Sequence, residues 1–320
     1  MDRFKMFYRC LKQNIFHFRK MYFCMNAKMH ADEHNLAIMI KHIHSIEKGL
    51  ATDVIRPGFG MGRANQLLDC VDIYVSKSKD MHITELSMAY GALQSYIDYH
   101  EKINYSTVEY EQLKHRYKQV FQSIESGLNK DYGGVIRIDT KEEKVDLEAV
   151  SKCIMTRHSI RDFKDEPVDE KLLEKAICLA MYAPSACNRQ STRVYILDHT
   201  KFDTIEGWTG GVKTFLHKVD KILIITGKMS AYEKDEYWQY AVSSSIFAGY
   251  LSLTLHAVGL GGCLLQRSLV NEQHWEKVAK THKIPEDEQV VCAMAVGVPK
   301  DKIKVPVSRR MEFERIVKKL

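Results

Sequence analysis

The spacing of apolar residues divides the chain near Gly133-Gly134. Before this point, apolar side chains recur every three or four residues, the spacing that places them on one face of a helix. The pattern predicts helices over 4–25, 33–50, 64–77, 84–101 and 107–127. After it, helical stretches alternate with short β-branched runs. We therefore expect an all-helical first half and an α+β second half.

The second half contains clear start signals for helices. Asp146 and Asp169 are typical N-cap residues, the first before a helix that runs through Val150 and Ile154. The helix after Asp169 has a predicted inner face of Leu172, Leu173, Ala176, Ile177 and Ala180. Strands are predicted at 193–197, 221–226, 263–266 and 290–296. A long helix at 236–258 carries a small-residue stripe that favours close packing on another helix or on a symmetry mate: Ala241, Ser245, Ala248 and Ser252.

The first helix has an apolar stripe with basic residues beside it. The stripe follows alternating spacings of four and three and comprises Phe4, Tyr8, Leu11, Ile15, Phe18, Tyr22 and Met25. We favour docking of this stripe on the same chain or on a partner subunit. The alternative is peripheral contact between residues 4–25 and an anionic membrane surface, which basic amphipathic helices bind.

Charge and cysteine usage narrow the class of protein. The formal net charge is +6, and residues 1–30 account for it with seven Lys and Arg against one acid. The remainder has no basic stripe of the kind that nucleic-acid binding requires. The eight cysteines lack C-x-x-C or zinc spacing, so we expect no metal site and reduced thiols in a cytoplasmic protein. Charges interrupt every apolar core that could serve as a signal peptide.

Three further segments have alternative interpretations. Residues 238–266 lack charge over a length that could span a bilayer, but their serines favour a buried soluble helix. The glycine-rich stretch 56–63 favours an inter-helix loop over an anion cradle, since no strand precedes it. The polar-dense segment 42–50 favours a solvated helix face, and the alternative is that its His, Glu and Lys face a substrate.

Two segments combine residues suited to a phosphate and to a polar ring. In 157–163, Arg157, Ser159 and Arg161 offer planar donor forks and a hydroxyl, which suit phosphate. In 183–190, Pro184 stops a helix, and small residues then allow close approach of the backbone. The amides of Asn188 and Gln190 can read the polar edge of a heteroaromatic ring. Each segment alone is more typical of an ordinary loop.

Two looser segments follow them. Gly259-Leu-Gly261 ends the long helix and leads into a strand. Gly297-Val-Pro299 precedes the pair Arg309-Arg310 near the C-terminus, which by itself indicates only a basic tail.

Together, in this order, the four segments resemble the nitroreductase family over roughly residues 147–320. The matched patterns are R-x-S-x-[RK]-x-F through Phe163, A-P-S-x-x-N-x-Q from Ala183, G-L-G, and G-x-P with a later arginine. The resemblance implies a mixed sheet flanked by helices, an α-β-α arrangement, in an intertwined homodimer. We accordingly expect a helical N-terminal region at 1–132 and an FMN-binding domain at 145–320.

The resemblance also implies roles for individual residues. Arg157 and Ser159 would bind the FMN phosphate, Arg310 rather than Arg309 would close it, and Arg161 would lie near the N1/O2 edge of the flavin. The second motif would reach the flavin from the other subunit. The full set of expected cofactor-binding residues is Arg157, His158, Ser159, Arg161, Pro184, Ser185, Ala186, Asn188, Gln190, Lys213, Leu265, Gln266, Arg267, Arg309 and Arg310.

The sequence departs from the family pattern after the G-L-G turn. The family often has an aromatic residue and a double glycine there, whereas this chain has Leu264, Gln266 and Arg267. A backbone N–H near Gln266 or Arg267 is the expected contact of flavin N5, and Lys213 is a weaker candidate contact. Cys187 is expected to be a small filler, because no second cysteine lies near it in sequence to form a disulfide.

The expected reaction is hydride transfer from NAD(P)H to flavin, then to a small-molecule acceptor that the sequence does not identify. The cofactor carries this chemistry, so no side chain is assigned as catalytic. Two alternatives stay open. One is an FMN-dependent oxidase or dehydrogenase that uses no nicotinamide. The other is a non-catalytic flavin-binding protein that docks through its first helix.

Overall fold

The computed structural model describes residues 2–25, 31–77, 80–122, 124–205, 214–265 and 272–320. Its first half contains five long helices, as predicted: α1 (Asp2–Cys24), α2 (Ala31–Leu50), α3 (Met61–Lys77), α4 (Thr84–Lys102) and α5 (Val108–Phe121). The last begins after Thr107, whose side chain accepts the backbone N–H of Tyr110. It ends at Phe121 rather than at residue 127, because Ile124 and Leu128 pack against the helical core from a turn.

Helices α2 to α5 pack around a common apolar core. Ile43, Leu67, Leu93 and Tyr96 are fully buried within it. The glycine-rich stretch is an inter-helix loop, as favoured above. The N–H of Gly58 donates to His100 Nε2 at 3.1 Å, so this donor is already used inside the protein.

The second half is α+β, as expected, and its described residues form four strands and five further α-helices. The strands are β1 (Thr192–Asp198), β2 (Lys221–Lys228), β3 (Gly261–Leu265) and β4 (Glu288–Gly297). The helices are α6 (Leu147–Thr156), α7 (Glu170–Ala180), α8 (Gln239–Ala257), α9 (Glu272–Thr281) and α10 (Phe313–Ile316). The strand order is β1-β2-β4-β3 with antiparallel pairs. The parallel component of the expected mixed sheet is a single bridge between Ser159 and Gly262.

Both faces of the sheet are covered, which gives the expected α-β-α layers. Leu223 and Met294 face α7 and α8 on one side. Ile222 and Ile224 face the opposite side, where Trp275 of α9 packs. Because β2 and β4 are buried on both faces, their sequences are continuous apolar runs rather than alternating ones.

Asp146 and Asp169 cap α6 and α7, accepting the N–H groups of Ala149 and of Lys171 and Leu172. The predicted inner face of α7 is wrong at Leu172, which is 37% exposed, because the helix is covered from one side only. The apolar residues of α6 are also exposed within the chain, with Ile154 at 54%.

Most of the apolar stripe of the first helix does not dock on its own chain. Phe4 is 76% exposed and Phe18 is 64% exposed. The helix contacts the second half through its last turns instead, where Met21, Cys24 and Met25 are buried. The expected docking on the same chain is therefore wrong for most of the stripe, because the helix extends beyond the surface that its C-terminal end touches.

The polar-dense segment 42–50 is not a solvated face, contrary to the interpretation favoured above. His42 is 5% exposed, and burial, Arg63 and Lys41 lower its pKa to about 4. Glu47 Oε1 accepts the backbone N–H of Gly134 at 3.1 Å. Only Lys48 of these three residues is exposed, because the segment packs between the helical core and residues that follow α5.

Two expectations about the whole chain can be compared with the described residues. No helix among them combines the length and apolarity needed to cross a membrane, and 238–266 is instead the packed helix α8 followed by β3. All eight cysteines are free thiols, and four of them are buried.

Candidate active site

The first motif joins the third at the edge of the sheet. Arg157 ends α6, and the chain then runs beside β3. Ser159 bridges Gly262 in parallel, and the N–H of Ile160 donates to the Gly262 carbonyl at 3.1 Å. Backbone hydrogen bonds thus hold the segment that carries both arginines against the strand that follows the G-L-G turn.

Phe163 joins the fourth motif to the same edge. Its ring is 1% exposed and lies over two glycines. A Cβ at Gly297 would be 2.7 Å from Phe163 Cδ1, and a Cβ at Gly261 would be 2.9 Å from its Cε1, so only glycine fits under the ring. Phe163 also bridges Pro299. Three of the four sequence motifs therefore meet in one chain.

The arginines at this edge form a cationic cluster. Burial raises the pKa of the Cys263 thiol on β3, and Arg161 and Arg157 partly oppose that rise. Burial, Arg157 and His158 lower the pKa of His256. Among the described residues, no carboxylate lies within 4 Å of the Arg157 or Arg161 guanidinium.

The intervening acid, Asp162, is held elsewhere, by Lys218 at 2.9 Å and Lys300 at 3.0 Å. A cation cluster without its own acid suits a bound anion such as a phosphate.

His256 lies beside this cluster and was not predicted as a site residue. Its Nε2 is joined to Thr156 Oγ1 by a hydrogen bond of 2.8 Å. The sequence offered no signal for it, because His256 lies about a hundred residues from the motif that it faces.

The second motif forms a strained loop between α7 and β1. Cys187, Asn188 and Gln190 all have left-handed backbone angles, with φ of 51°, 54° and 47°, a conformation that is uncommon outside glycine. The Gln190 N–H donates to Ser185 Oγ at 3.0 Å, and the Ala186 N–H donates to Ser243 Oγ at 3.3 Å. Asn188 and Gln190 are exposed, and Gln190 Nε2 donates to Asn188 Oδ1 at 3.4 Å, so the two amides lie together at the surface of the loop.

Arg189 anchors this loop from inside the protein. Its side chain is fully buried and donates to both carboxylate oxygens of Glu236, at 2.6 and 2.8 Å. It also donates to the Ala231 carbonyl at 3.0 Å and lies 4.8 Å from the Tyr232 ring centroid. The sequence analysis missed this residue, because its position between Asn188 and Gln190 resembles a surface arginine.

The first and second motifs lie at opposite ends of α8. The second contacts Ser243 near the start of the helix, whereas Thr156, just before the first, contacts His256 near its end. A helix rises about 1.5 Å per residue, so the two points are separated by roughly 20 Å along its axis. One chain does not bring the two motifs to a single small ligand.

The other predicted cofactor-binding residues lie at several separate places in the chain. Pro184 is exposed, whereas Ala186 is half-buried. Leu265 ends β3 and is buried. Lys213, Gln266 and Arg267 lie outside the described residues. Arg309 and Arg310 lie in an exposed C-terminal segment, in which Arg310 donates to the Ser308 carbonyl at 2.6 Å. Within the described chain, neither arginine hydrogen-bonds to the first motif.

A cavity of about 650 Å³ lies beside the second motif, and residues of the helical half line part of it. Its walls include Ser185 and Gln190 of the loop, and Ala37 and Met88 of α2 and α4. The lining also contains Glu33, Glu85, Arg193 and Lys228, so it can hold polar as well as apolar groups. Its helical wall comes from the first half of α2 and the start of α4, and Ile40 is the one residue of 40–65 in the lining.

Comparison with known proteins gave a family match to the second half and one curated relative. Residues 154–298 match the model of the nitroreductase family. A protein of Archaeoglobus fulgidus, whose name proposes NADH dehydrogenase or NAD(P)H nitroreductase activity, is 27% identical over 157 residues, which are 48% of this chain and 88% of the relative.

Solved structures of similar proteins match about half of the chain. A proposed nitroreductase from Desulfovibrio desulfuricans, solved in complex with FMN, is 18% identical with a TM-score of 0.47 over 55% of this chain and 98% of its own. A proposed NADH dehydrogenase/NAD(P)H nitroreductase from Parabacteroides distasonis is 21% identical with a TM-score of 0.45 over 51% of this chain and 94% of its own.

Proposed function

Residues 154–298 match the nitroreductase family model, and from this match we propose that the protein is an FMN-dependent NAD(P)H oxidoreductase of that family. The observation that carries the proposal is the cluster of Arg157 and Arg161 against β3, which has no carboxylate partner among the described residues. The division into a helical region at 1–132 and an FMN-binding domain at 145–320 is part of this proposal.

The residues present fit FMN. Arg157 and Ser159 supply a guanidinium and a hydroxyl for the phosphate, and His158 lies between them. The Arg161 cation would favour added electron density on a nearby ring, which is the electrostatic assistance that flavin reduction uses. FMN, when bound, supplies the hydride-accepting chemistry, which protein side chains lack. The family resemblance assigns the flavin N5 contact to the backbone near Gln266 or Arg267, a weaker ring contact to Lys213, and closure of the phosphate site to Arg310.

Two chains complete the site in this proposal. The separation of the motifs along α8 supports a homodimer in which Pro184, Ser185, Asn188 and Gln190 of one chain meet the arginine cluster of the other. Unpartnered apolar residues on α6 and α8 support it further, with Ile154 at 54% and Val242 at 47% exposure. The exposed tail that carries Arg310 can likewise reach a partner.

The first helix belongs to the same interface. Asn14 and His17 of α1 line a cavity of about 460 Å³ together with Ser245 and Gly249 of α8. Because Ser245 and Gly249 are exposed on the face where a partner would pack, the exposed stripe of α1 continues that surface. We therefore assign the stripe to a partner subunit, with contact to an anionic membrane as the competing outcome of its test.

Flavin reduction tests the proposed activity. Purified protein loaded with FMN is mixed anaerobically with NADH or NADPH, and the flavin absorbance near 450 nm is followed. Bleaching by either nucleotide is expected. Full FMN loading without bleaching by either one would reject nicotinamide as the donor and favour the alternative oxidase or dehydrogenase.

Light scattering tests the assembly. The mass in solution is expected to be twice the 37.0 kDa mass of one chain. Replacing Phe4, Tyr8 and Phe18 by Ser should weaken the dimer. A dimer unaffected by these substitutions, combined with binding of the native chain to anionic but not neutral vesicles, would assign the stripe to a membrane.

A further inference from the structure

An ion-pair chain connects the helical half to the second motif. Lys41 of α2 is paired with Glu233 and lies 3.9 Å from Glu236 Oε2. Glu236 in turn receives both terminal nitrogens of Arg189 and the N–H of Glu233. Burial raises the pKa of Glu236, but hydrogen bonds from Arg189 and the Glu233 N–H outweigh burial and lower it. The carboxylate is therefore ionised at neutral pH and holds both cations.

The anchored residue lies within the most strained part of the chain. Arg189 stands between Asn188 and Gln190, both with left-handed backbone angles, and Cys187 before them has the same conformation. This conformation is unfavourable for a residue other than glycine and persists only where the surroundings hold it. The two neighbours of Arg189 are exposed while Arg189 itself is fully buried. Fixing one buried side chain thus orients two exposed amides.

The helical half supplies the outer end of this chain. His34 of α2 makes a second contact, because its Nδ1 lies 2.9 Å from the Ser230 carbonyl. Ser230 is in the turn before Tyr232, and Arg189 lies over the Tyr232 ring. Ala37 packs in the same apolar cluster as Ala231 and Tyr232. These contacts place α2 directly behind the residues that hold Arg189.

We propose that the helical half positions the second motif through Lys41, Glu236 and Arg189, so that these are positioning residues for the ligand that Asn188 and Gln190 contact. They act from behind the loop and do not touch the ligand. The inference rests on the proposed FMN site for the identity of that ligand, but not for the coupling itself. The helical half then serves as the support of a site in the other half of the chain.

The test uses the full chain and the substitution Lys41→Met, with Lys48→Met as the matched control. Both lysines lie on α2, but Lys48 is exposed and lies outside the ion-pair chain. Amide hydrogen exchange of residues 184–191 reports loop order without any ligand. FMN fluorescence quenching reports ligand affinity. Lys41→Met is expected to speed amide exchange of the loop and to weaken FMN binding by about 2- to 30-fold, the usual range of coupling between sites. Lys48→Met is expected to change neither the exchange rate nor the FMN affinity.

A second comparison separates positioning from general destabilisation. Lys41→Arg should restore both readouts, and Lys41→Met should have no further effect in a Glu236→Gln background, because Glu236 relays the coupling. Unchanged loop exchange in Lys41→Met would overturn the inference, as would additive effects with Glu236→Gln. The inference would also be overturned if Glu233→Gln reproduced the faster loop exchange and Glu236→Gln did not.

The two proposals fail in different ways. A wild-type protein that binds no FMN, yet shows faster loop exchange in Lys41→Met, would refute the flavin site and keep the coupling. FMN bound with equal affinity and equal loop exchange in both variants would refute the coupling and keep the flavin site.

Discussion

The two motif segments of this protein are held in place by different means. Residues 157–163 are bound to the sheet edge by backbone hydrogen bonds and by the packing of Phe163 on two glycines. Residues 183–190 have no strand beside them, and a buried ion pair and two serine hydroxyls hold their strained backbone. The first segment is thus part of the folded core of its own domain, whereas the second depends on a helix from the other half of the chain.

The largest expected effect is loss of the packing that fixes the first segment. Phe163→Ala removes a ring that is 1% exposed and should lower the free energy of unfolding by about 3–5 kcal/mol. Urea denaturation followed by circular dichroism measures it. Val54→Ala, at a position 84% exposed, is the control and should change stability little. Equal effects of the two substitutions would mean that the sheet edge does not depend on this ring.

The arginine cluster of the first segment should determine ligand affinity rather than stability. Arg157→Met and Arg161→Met are each expected to weaken FMN binding by about 10- to 100-fold, since each removes a charge-assisted hydrogen bond. The unfolding midpoint should hardly move. Arg137→Met, at an exposed arginine outside the motifs, provides the control in the same fluorescence titration. If both variants kept the wild-type affinity for FMN, the proposed flavin site at these arginines would be rejected.

Low pH should destabilise the protein through α2, the helix that lies behind the second segment. Burial, Arg63 and Lys41 lower the pKa of His42 on α2 to about 4, whereas the unfolded chain protonates it near 6.5. The unfolded state therefore binds more protons in this window, and stability should fall as the pH drops from 6.5 towards 4, by about 2 kcal/mol. His42→Gln should flatten this dependence in urea denaturation at several pH values, and His115→Gln, at an exposed position, should not. Identical pH profiles for wild type and His42→Gln would contradict the assignment.

The smallest effect concerns the strain within the second segment. Cys187 has a φ of 51°, which asparagine adopts more readily than most residues. Cys187→Asn should therefore raise stability by about 0.5 kcal/mol and leave FMN affinity unchanged. Thermal denaturation and FMN titration of the same variant measure both quantities. A large loss of affinity would assign the thiol a role beyond that of a small filler.

The sequence predictions were correct where the interactions are local, and wrong where burial depends on distant parts of the chain. The caps Asp146 and Asp169 were predictable, because a capping carboxylate acts within three residues of itself. The central strands were found because β2 and β4 each contain a continuous apolar run. The first and third motifs were found because their residue types match a known pattern. The inner face of α7 at Leu172 and the supposed solvated face at His42 were wrong, because burial depends on which neighbour covers each helix.

The amino-acid sequence alone determined the kind of protein: a helical first half, an α+β second half, and the residue types of an anion-binding and ring-binding domain. These follow from local spacing and from short motifs, which fold in much the same way wherever they occur. Tertiary structure alone decided that the two best motifs lie roughly 20 Å apart along α8, and that α2 stands behind one of them. Such relations join residues separated by a hundred positions or more, and only packing and buried charge bring those residues together.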